Sequence, residues 1–444
     1  MKVLLIQPLM KMRPMDTSLK TRMSPSLGLL TVAQSIRKGN EIEFINENIG
    51  DKINFNDEVD VVGITVTVDT LPRAIEIAEG FKKAGVPVIA GGIQITSCPE
   101  SAKGHFDALC IGFAEKTWPD IIEDVRSGNL KPQYSCVHIK PEEILSPAYD
   151  MIDHSKYLFV NVVSASRGCP FKCEFCYNST KNIRNSFVNR RIEDVIEDIK
   201  TLKRKHIMFI DDNFIGNPAW TKEFLNRIKP MKIKWNAAVS ANVVKIPGML
   251  DLMKESGCQG LFIGFESLNE NSIKNASKGQ NVVSEYEHLI SEIHKRGIMI
   301  NASFVFGLDD DDETTFSRTI DWVVQNKIET VTSHILTPYP GTAQHSRMMK
   351  EGKITSEDQS LYTTSEVVFK PNKLTATQLK SGYLDIYKKI YSFRNILKRF
   401  PRHQKVGFLL FNFIYRKYGK LTARICDMIG YNRIGYVCEK FSFL

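Results

Sequence analysis

Residues Cys169 to Cys176 read CPFKCEFC, three cysteines in eight residues at the spacing C-x3-C-x2-C, with no fourth cysteine or histidine close by. In a reducing compartment a thiolate cluster of this kind holds zinc or iron–sulfur. Structural zinc wants four ligands, usually a C-x2-C pair completed by a second pair elsewhere. Here Cys98, Cys110, Cys136, Cys258, Cys426 and Cys438 are scattered singly and read as fillers of apolar gaps. The nearest histidine, His154, precedes a strand that would carry it to the opposite end of the fold. A [4Fe–4S] cube on three thiolates keeps one iron open for a small molecule, and the spacing favours that reading over zinc.

The motif follows directly on FVNVVSA, the first of a series of strand-like runs that continues with HIMFIDD, KWNAAVS, GLFIGFE, IMINASFVFG and TVTSHIL. Helix-length amphipathic segments separate them, so 156–345 predicts a partial (β/α)6 barrel with its chemistry at the carboxyl ends of the strands. Upstream, KVLLIQP, EIEFINE, DVVGITV, VPVIAGG and ALCIGFA alternate with helical patterns over 1–130. One of these, DTLPRAIEIAEGFKKAG, repeats apolar residues at helical spacing from Leu71 to Phe81, with Pro72 in its first turn. Such alternation implies a doubly wound parallel sheet. Gly63, Gly91, Gly92 and Gly112 stand in or directly after strands, either to admit a ligand at the sheet's carboxyl edge or only to make tight turns. Residues 131–155 read as a linker, and 346–444 as a mostly helical, basic region.

With 444 residues, 43% hydrophobic and 25% charged, the chain has the composition of a multi-domain globular protein. The apolar run in MKVLLIQPLM is too short to span a bilayer and reads as a buried strand, so a cytoplasmic location is expected. The net charge of +9 is local: Lys388 to Arg424 holds eleven Lys or Arg and no acid, leaving the rest near −2. Interleaved with Tyr, Phe and Leu, these cations fit either a segment lying on an anionic bilayer or a helical cap over the barrel. The first reading suits a lipid or isoprenoid substrate and a peripheral position at the inner face of the membrane.

C-x3-C-x2-C after the first barrel strand, with Phe175 before the last cysteine, resembles the radical S-adenosylmethionine (SAM) superfamily. The resemblance implies a [4Fe–4S] cluster on Cys169, Cys173 and Cys176. SAM would bind its open iron and be cleaved to a 5′-deoxyadenosyl radical. FIDDN (209–213) resembles the segment near the SAM amino group and implies roles for Asp211 or Asp212. GFES (264–267) resembles the ribose-contacting segment and implies Glu266 and Ser267. Each of these polar residues alternatively caps the next helix. FVFGLDDDDETTF and TPYPGT also resemble family segments, as barrel-end loops. An electron donor such as flavodoxin or ferredoxin is implied.

The first domain is similar to the cobalamin-binding domain often fused ahead of this barrel, through SPSLGLLTVAQ, GITVT, AGGIQIT and IGFAEKT. The residues this implies for cobalamin are Gly63, Thr65, Thr67, Gly91, Gly92, Gln94, Thr96, Gly112 and Glu115. The sequence departs from the family where Gln94 replaces a frequent histidine and Phe113 a frequent acid. With no D-x-H-x-x-G, a histidine as lower cobalt ligand is not expected.

Together the two cofactors imply methylation of an unactivated carbon on a small molecule or lipid. Ring closure, oxidation or rearrangement without methyl transfer is the alternative. A cobalamin sensor with a structural cluster predicts damage around the SAM pocket, yet Phe175, FIDDN and GFES are intact. A tRNA-methylthiotransferase predicts a further N-terminal cysteine cluster and a C-terminal β-barrel, neither visible here, and nucleic acid is not the expected partner.

Overall fold

The computed structural model describes residues 1–14 and 16–440. Among them, β1 (Lys2–Gln7), β2 (Glu41–Asn46), β3 (Val61–Thr65), β4 (Val88–Gly91), β5 (Ala108–Gly112) and β6 (Gln133–Cys136) form one parallel sheet. Its order is β2-β1-β3-β4-β5-β6. Side chains alternate across a strand, and both faces here are apolar. Val3, Leu5 and Val61 pack with Ala33, Ile36, Trp118 and Ile121 on one side. Leu4, Ile6, Val62 and Ile64 pack with Ala74, Ile77, Ala78 and Phe81 on the other. The chain reverses its direction of growth between β1 and β3, so a crevice opens there at the carboxyl edge.

The segment read as a linker supplies β6. Only Tyr134 of its four residues is buried, so the strand has no hydrophobic signal. Gly112 is fixed by its backbone, with φ at +87°, and an added Cβ would stand 2.0 Å from the Cys136 carbonyl oxygen.

The second sheet contains β7 (Val162–Val163), β10 (His206–Phe209), β11 (Lys234–Val239), β12 (Cys258–Glu266), β13 (Met299–Phe306) and β14 (Thr330–Ile335). These pair in sequence order, all parallel, which is the expected six-unit series. A short antiparallel ribbon, β8 (Ser166–Arg167) with β9 (Val188–Asn189), turns the chain out of the sheet and leaves β7 only two residues long. The edges β7 and β14 do not pair with each other, and the sheet is therefore an open barrel.

The C-terminal region closes it. The helix Ala376–Ile390 lies along β14, where the Tyr387 hydroxyl accepts from Ser333 N (2.9 Å) and donates to its carbonyl (3.1 Å). Tyr391 does the same at Val331, accepting at 3.0 Å and donating at 2.8 Å. Two phenols thus occupy backbone groups that an edge strand otherwise leaves open. Among the cations of this region Arg399 turns inward: it is fully buried and donates to the carbonyls of Ile328 (2.7 Å), Glu329 (2.8 Å) and Ile390 (2.9 Å). Gln404 plugs the amino end, donating to the carbonyls of Gln259 (2.7 Å) and Gly297 (2.8 Å). The tail thus forms a cap over the barrel, and this leaves its exposed cations free to face a membrane as well; its last four residues, 441–444, lie outside the described residues. Among the described residues no helix is long and apolar enough to cross a membrane.

Candidate functional site

The cysteine loop leaves β7 through a turn held by Asp211. This carboxylate, at the end of β10, accepts from Ala165 N (3.0 Å) and Ser166 Oγ (2.5 Å). Burial pushes its carboxyl up to about 6, against these hydrogen bonds. Gly168, at φ +74°, turns the chain into the motif. The loop is then pinned from two sides. Glu174 N donates to the Ala276 carbonyl (3.1 Å), Gln344 N donates to the Glu174 carbonyl (3.2 Å), and Ser277 Oγ reaches the Glu174 carboxylate (3.2 Å). The loops after β12 and β14 therefore fix where the three sulfurs stand.

Burial pushes the Cys169 thiol up to about 11 and that of Cys176 to about 12, while Cys173 Sγ accepts from Gln280 Nε2 at 3.5 Å. Among the described residues no three of His, Cys, Asp or Glu stand close enough to hold one metal ion. Three soft thiol donors on one pinned loop, with no fourth cysteine or histidine near them in sequence, fit an iron–sulfur cube rather than a zinc tetrahedron.

At the end of β12 the register shifts between Gly264 and Glu266, and Glu266 takes a left-handed φ of +65°. A non-glycine residue there costs roughly 1–2 kcal/mol. The strain turns the Glu266 carboxylate back over Gly264 and onto Lys278 Nζ at 2.5 Å, with both side chains only 10% exposed. Burial works against the Lys278 charge, and Glu266 with the nearby thiols more than offsets it, raising its pKa. The ammonium lies 5.9 Å from the centre of the Phe175 ring, so it connects GFES to the cysteine motif. Ser267 is occupied locally, its hydroxyl accepting from Asn269 N (3.1 Å).

A cavity opens between the two sheets, at the switch point of the first. Gly63, Thr65, Gly91, Gly92, Thr96, Gly112 and Glu115 line it from one side, and Arg167, Gly168, Tyr177 and Asp212 from the other. Tyr177 donates to Asp212 Oδ1 at 2.8 Å, and Asn182 Nδ2 crosses to the Thr96 carbonyl at 3.0 Å. The TPYPGT loop abuts the same place, where a Cβ on Gly341 would come 2.6 Å from the Ser97 carbonyl oxygen. Gly28 lines the cavity with no atom within 4 Å of its would-be Cβ. Glu115 Oε1 is buried without a hydrogen-bond partner. An orphaned acceptor and open space at Gly28 suit a large ligand rimmed with amide donors, as a corrin is.

Of the residues expected around cobalamin, Thr67 and Gln94 stand apart. Thr67 is exposed and donates to Asp69 Oδ1 (2.8 Å), and Gln94 is buried and donates to Ser101 Oγ (2.9 Å). Asp211 serves the β7 turn, whereas Asp212 faces the cavity. Lys278, Gln280 and Asn182 were not indicated by the sequence, since they sit in loops without period or motif, and neither was Arg167, in a strand of only two residues. Tyr177 had one signal, its place directly after Cys176.

The model of the Radical SAM superfamily matches residues 163–323. A domain of unknown function (DUF4070) matches 342–408, within the region that closes the barrel. The bacteriochlorophyllide d C-12(1)-methyltransferase of Chlorobaculum tepidum is 31% identical over 96% of this chain and 95% of its own. The bacteriochlorophyllide d C-8(2)-methyltransferase of the same organism is 27% identical over 86% and 89%. The cobalamin-dependent SAM radical enzyme OxsB, solved with aqua-cobalamin, superposes with a TM-score of 0.67 at 15% identity, covering 99% of this chain and 75% of that one.

Proposed function

The chain belongs to the radical SAM superfamily, and from that premise we propose that it is a cobalamin-dependent methylase acting on an unactivated carbon. The observation that carries this reading is the shared cavity. The glycine edge of the first sheet and the residues that flank the cysteine motif, Gly168 and Tyr177, face one another across it, so a corrin and a SAM-cleaving cluster would meet at one substrate. When bound, the cluster supplies the electron that cleaves SAM and the cobalamin supplies the methyl carrier.

The chain's own residues position and enclose. Cys169, Cys173 and Cys176 hold the cluster on a loop fixed through Glu174. Phe175 and the Glu266–Lys278 pair form the wall beside it, and Asp212, steadied by Tyr177, presents a carboxylate suited to the SAM ammonium. Gly28, with free space beside it, lets the corrin approach, while Gly63, Gly91, Gly92 and Gly112 line the sheet edge, with Glu115 accepting from its amide periphery. The exposed cations Lys405, Lys420 and Arg424 support peripheral attachment to an anionic membrane surface.

The test uses protein purified without oxygen and reconstituted with iron, sulfide and hydroxocobalamin, then given SAM and a strong reductant. About four irons and one cobalt per chain, with 5′-deoxyadenosine and S-adenosylhomocysteine both formed, is the expected result. Iron without retained cobalt, and 5′-deoxyadenosine alone, would overturn the methylase reading.

A further inference from the structure

Eleven cations crowd the stretch from Lys388 to Arg424, yet an apolar groove in this region has no charged residue in its lining. The groove, about 680 Å³, lies between the approach to β7 and the C-terminal helices. Leu158 and Phe159, from the approach to β7, form one wall; Leu410, Ile414, Leu421 and Val437, from the C-terminal helices, form the other. Several of these are open to solvent, Ile414 at 43%, Leu421 at 56% and Val437 at 47%. Apolar surface left bare in this way marks a contact site.

A second cavity, about 360 Å³, occupies the barrel lumen and is lined by Met208, Ile210, Asn236, Ala238 and Phe262 among others. Phe411 lines both. It sits at the start of a π-helical segment, Leu410–Lys417, a wide-turned conformation that is rare and concentrated at functional sites. Met208 also borders the lumen while packing against the Leu158–Phe159 cluster. Thin side-chain partitions therefore separate a solvent-open apolar groove from the inside of the barrel. At the far end of the lumen, Ile210 and Asp211 are followed directly by Asp212, which lines the intersheet cavity.

We infer that the groove holds the body of a long hydrocarbon substrate, reaching past Phe411 so that its reacting end lies in the barrel lumen. The inference rests on the methylase reading, which places the radical at the lumen's carboxyl end. A partner helix would cover the groove, but it would leave without a use the thin partition at Phe411 that the groove shares with the lumen. Both volumes fall in the range of small-molecule pockets. Lys405 and Lys420, beside the groove residues Val406 and Leu421, place cations where an amphiphile's anionic head or the lipid surface around it would lie.

The probe is geranylgeraniol, labelled and below its aggregation concentration, in equilibrium dialysis against the reconstituted holoenzyme. Saturable binding is expected, weakened at least tenfold by Ile414→Arg and, as a second charge at another exposed position, by Leu421→Lys. Thermal unfolding and iron content establish that each variant is folded. Absence of saturable binding, or undiminished binding in both folded variants, overturns the inference. So does a wild-type dimer that Ile414→Arg dissociates, since the groove would then belong to a second copy. Loss of binding to phosphatidylglycerol vesicles with geranylgeraniol binding intact likewise overturns it, leaving a membrane-docking face. SAM cleavage and cobalt retention are measured separately in the wild type, so failure of the methylase reading is distinguishable from failure of the groove.

Discussion

Glu266 and Lys278 form a buried ion pair at 2.5 Å that joins the end of β12 to the ring of Phe175, one residue before the last cysteine. Glu266 had been expected to receive ribose hydroxyls, and the structure gives it a fixed cation as well. Removing one partner leaves an uncompensated buried charge, which costs roughly 3–5 kcal/mol. Lys278→Met and Glu266→Gln should each lower the thermal unfolding midpoint and weaken SAM binding at least tenfold. The double variant should recover part of the stability loss. Additive losses would show that the two side chains act independently.

Cys169→Ala, Cys173→Ala and Cys176→Ala should each lose the iron and all reductive SAM cleavage, with the helical signal in circular dichroism kept. The loop is tied down through the Glu174 backbone rather than through the sulfurs, so its fold does not need them. Iron content at the wild-type level in any of the three would remove that cysteine from the cluster.

The fold was legible because strands covered on both faces announce themselves as apolar runs, and every strand expected in the first sheet and the barrel is present. What escaped had no such signal. β6 buries one tyrosine in four residues, and Arg399 looks like its exposed neighbours until the carbonyls of Ile328 and Glu329 converge on it. At the site, Gly91 and Asp212 stand at strand ends and line the intersheet cavity. Thr67 and Gln94 lie next to glycines that line it, and local bonds hold their own side chains away from it. Lys278 lies twelve residues beyond Glu266 in a loop, so only three-dimensional packing brings the two together.

Glu115 is a test of the first domain alone. An unpaired buried acceptor costs about 1–3 kcal/mol, so Glu115→Ala should leave the cobalamin-free protein as stable as the wild type, or more so. Its affinity for hydroxocobalamin should fall about tenfold, equivalent to roughly 1.4 kcal/mol. Titration followed by absorbance measures this, and unchanged affinity would place the corrin elsewhere.

The exposed cations give a separate expectation. Lys405→Glu, Lys420→Glu and Arg424→Glu together should reduce sedimentation with phosphatidylglycerol vesicles at least tenfold, each lysine or arginine near such a surface contributing about 1 kcal/mol. Wild-type binding should also weaken as salt rises, because these charges lie in solvent. Truncation is the poorer test, since Arg399 and Gln404 close the barrel. Equal sedimentation of wild type and triple variant would end the membrane reading.

Asp311 sets a pH dependence away from the cofactors. Its carboxylate accepts from Gly307 N (2.7 Å) and Leu308 N (3.0 Å) in the loop after β13, and burial pushes the group up to about 7 against those bonds. Asp312 adds repulsion and Arg318 a weaker attraction. A folded pKa above the unfolded value near 3.9 means the folded state binds more protons between the two, so stability falls as pH rises through that window. Above about pH 7 the loss is complete and the dependence flattens. Asp311→Asn keeps an acceptor for the two amides and removes the titration. Its unfolding midpoint should therefore gain on the wild type between pH 5.5 and 7 and hold a constant lead from 7 to 8.5. Parallel curves over the whole range would mean that the carboxylate is already ionised at pH 5.5, held so by its two amide donors.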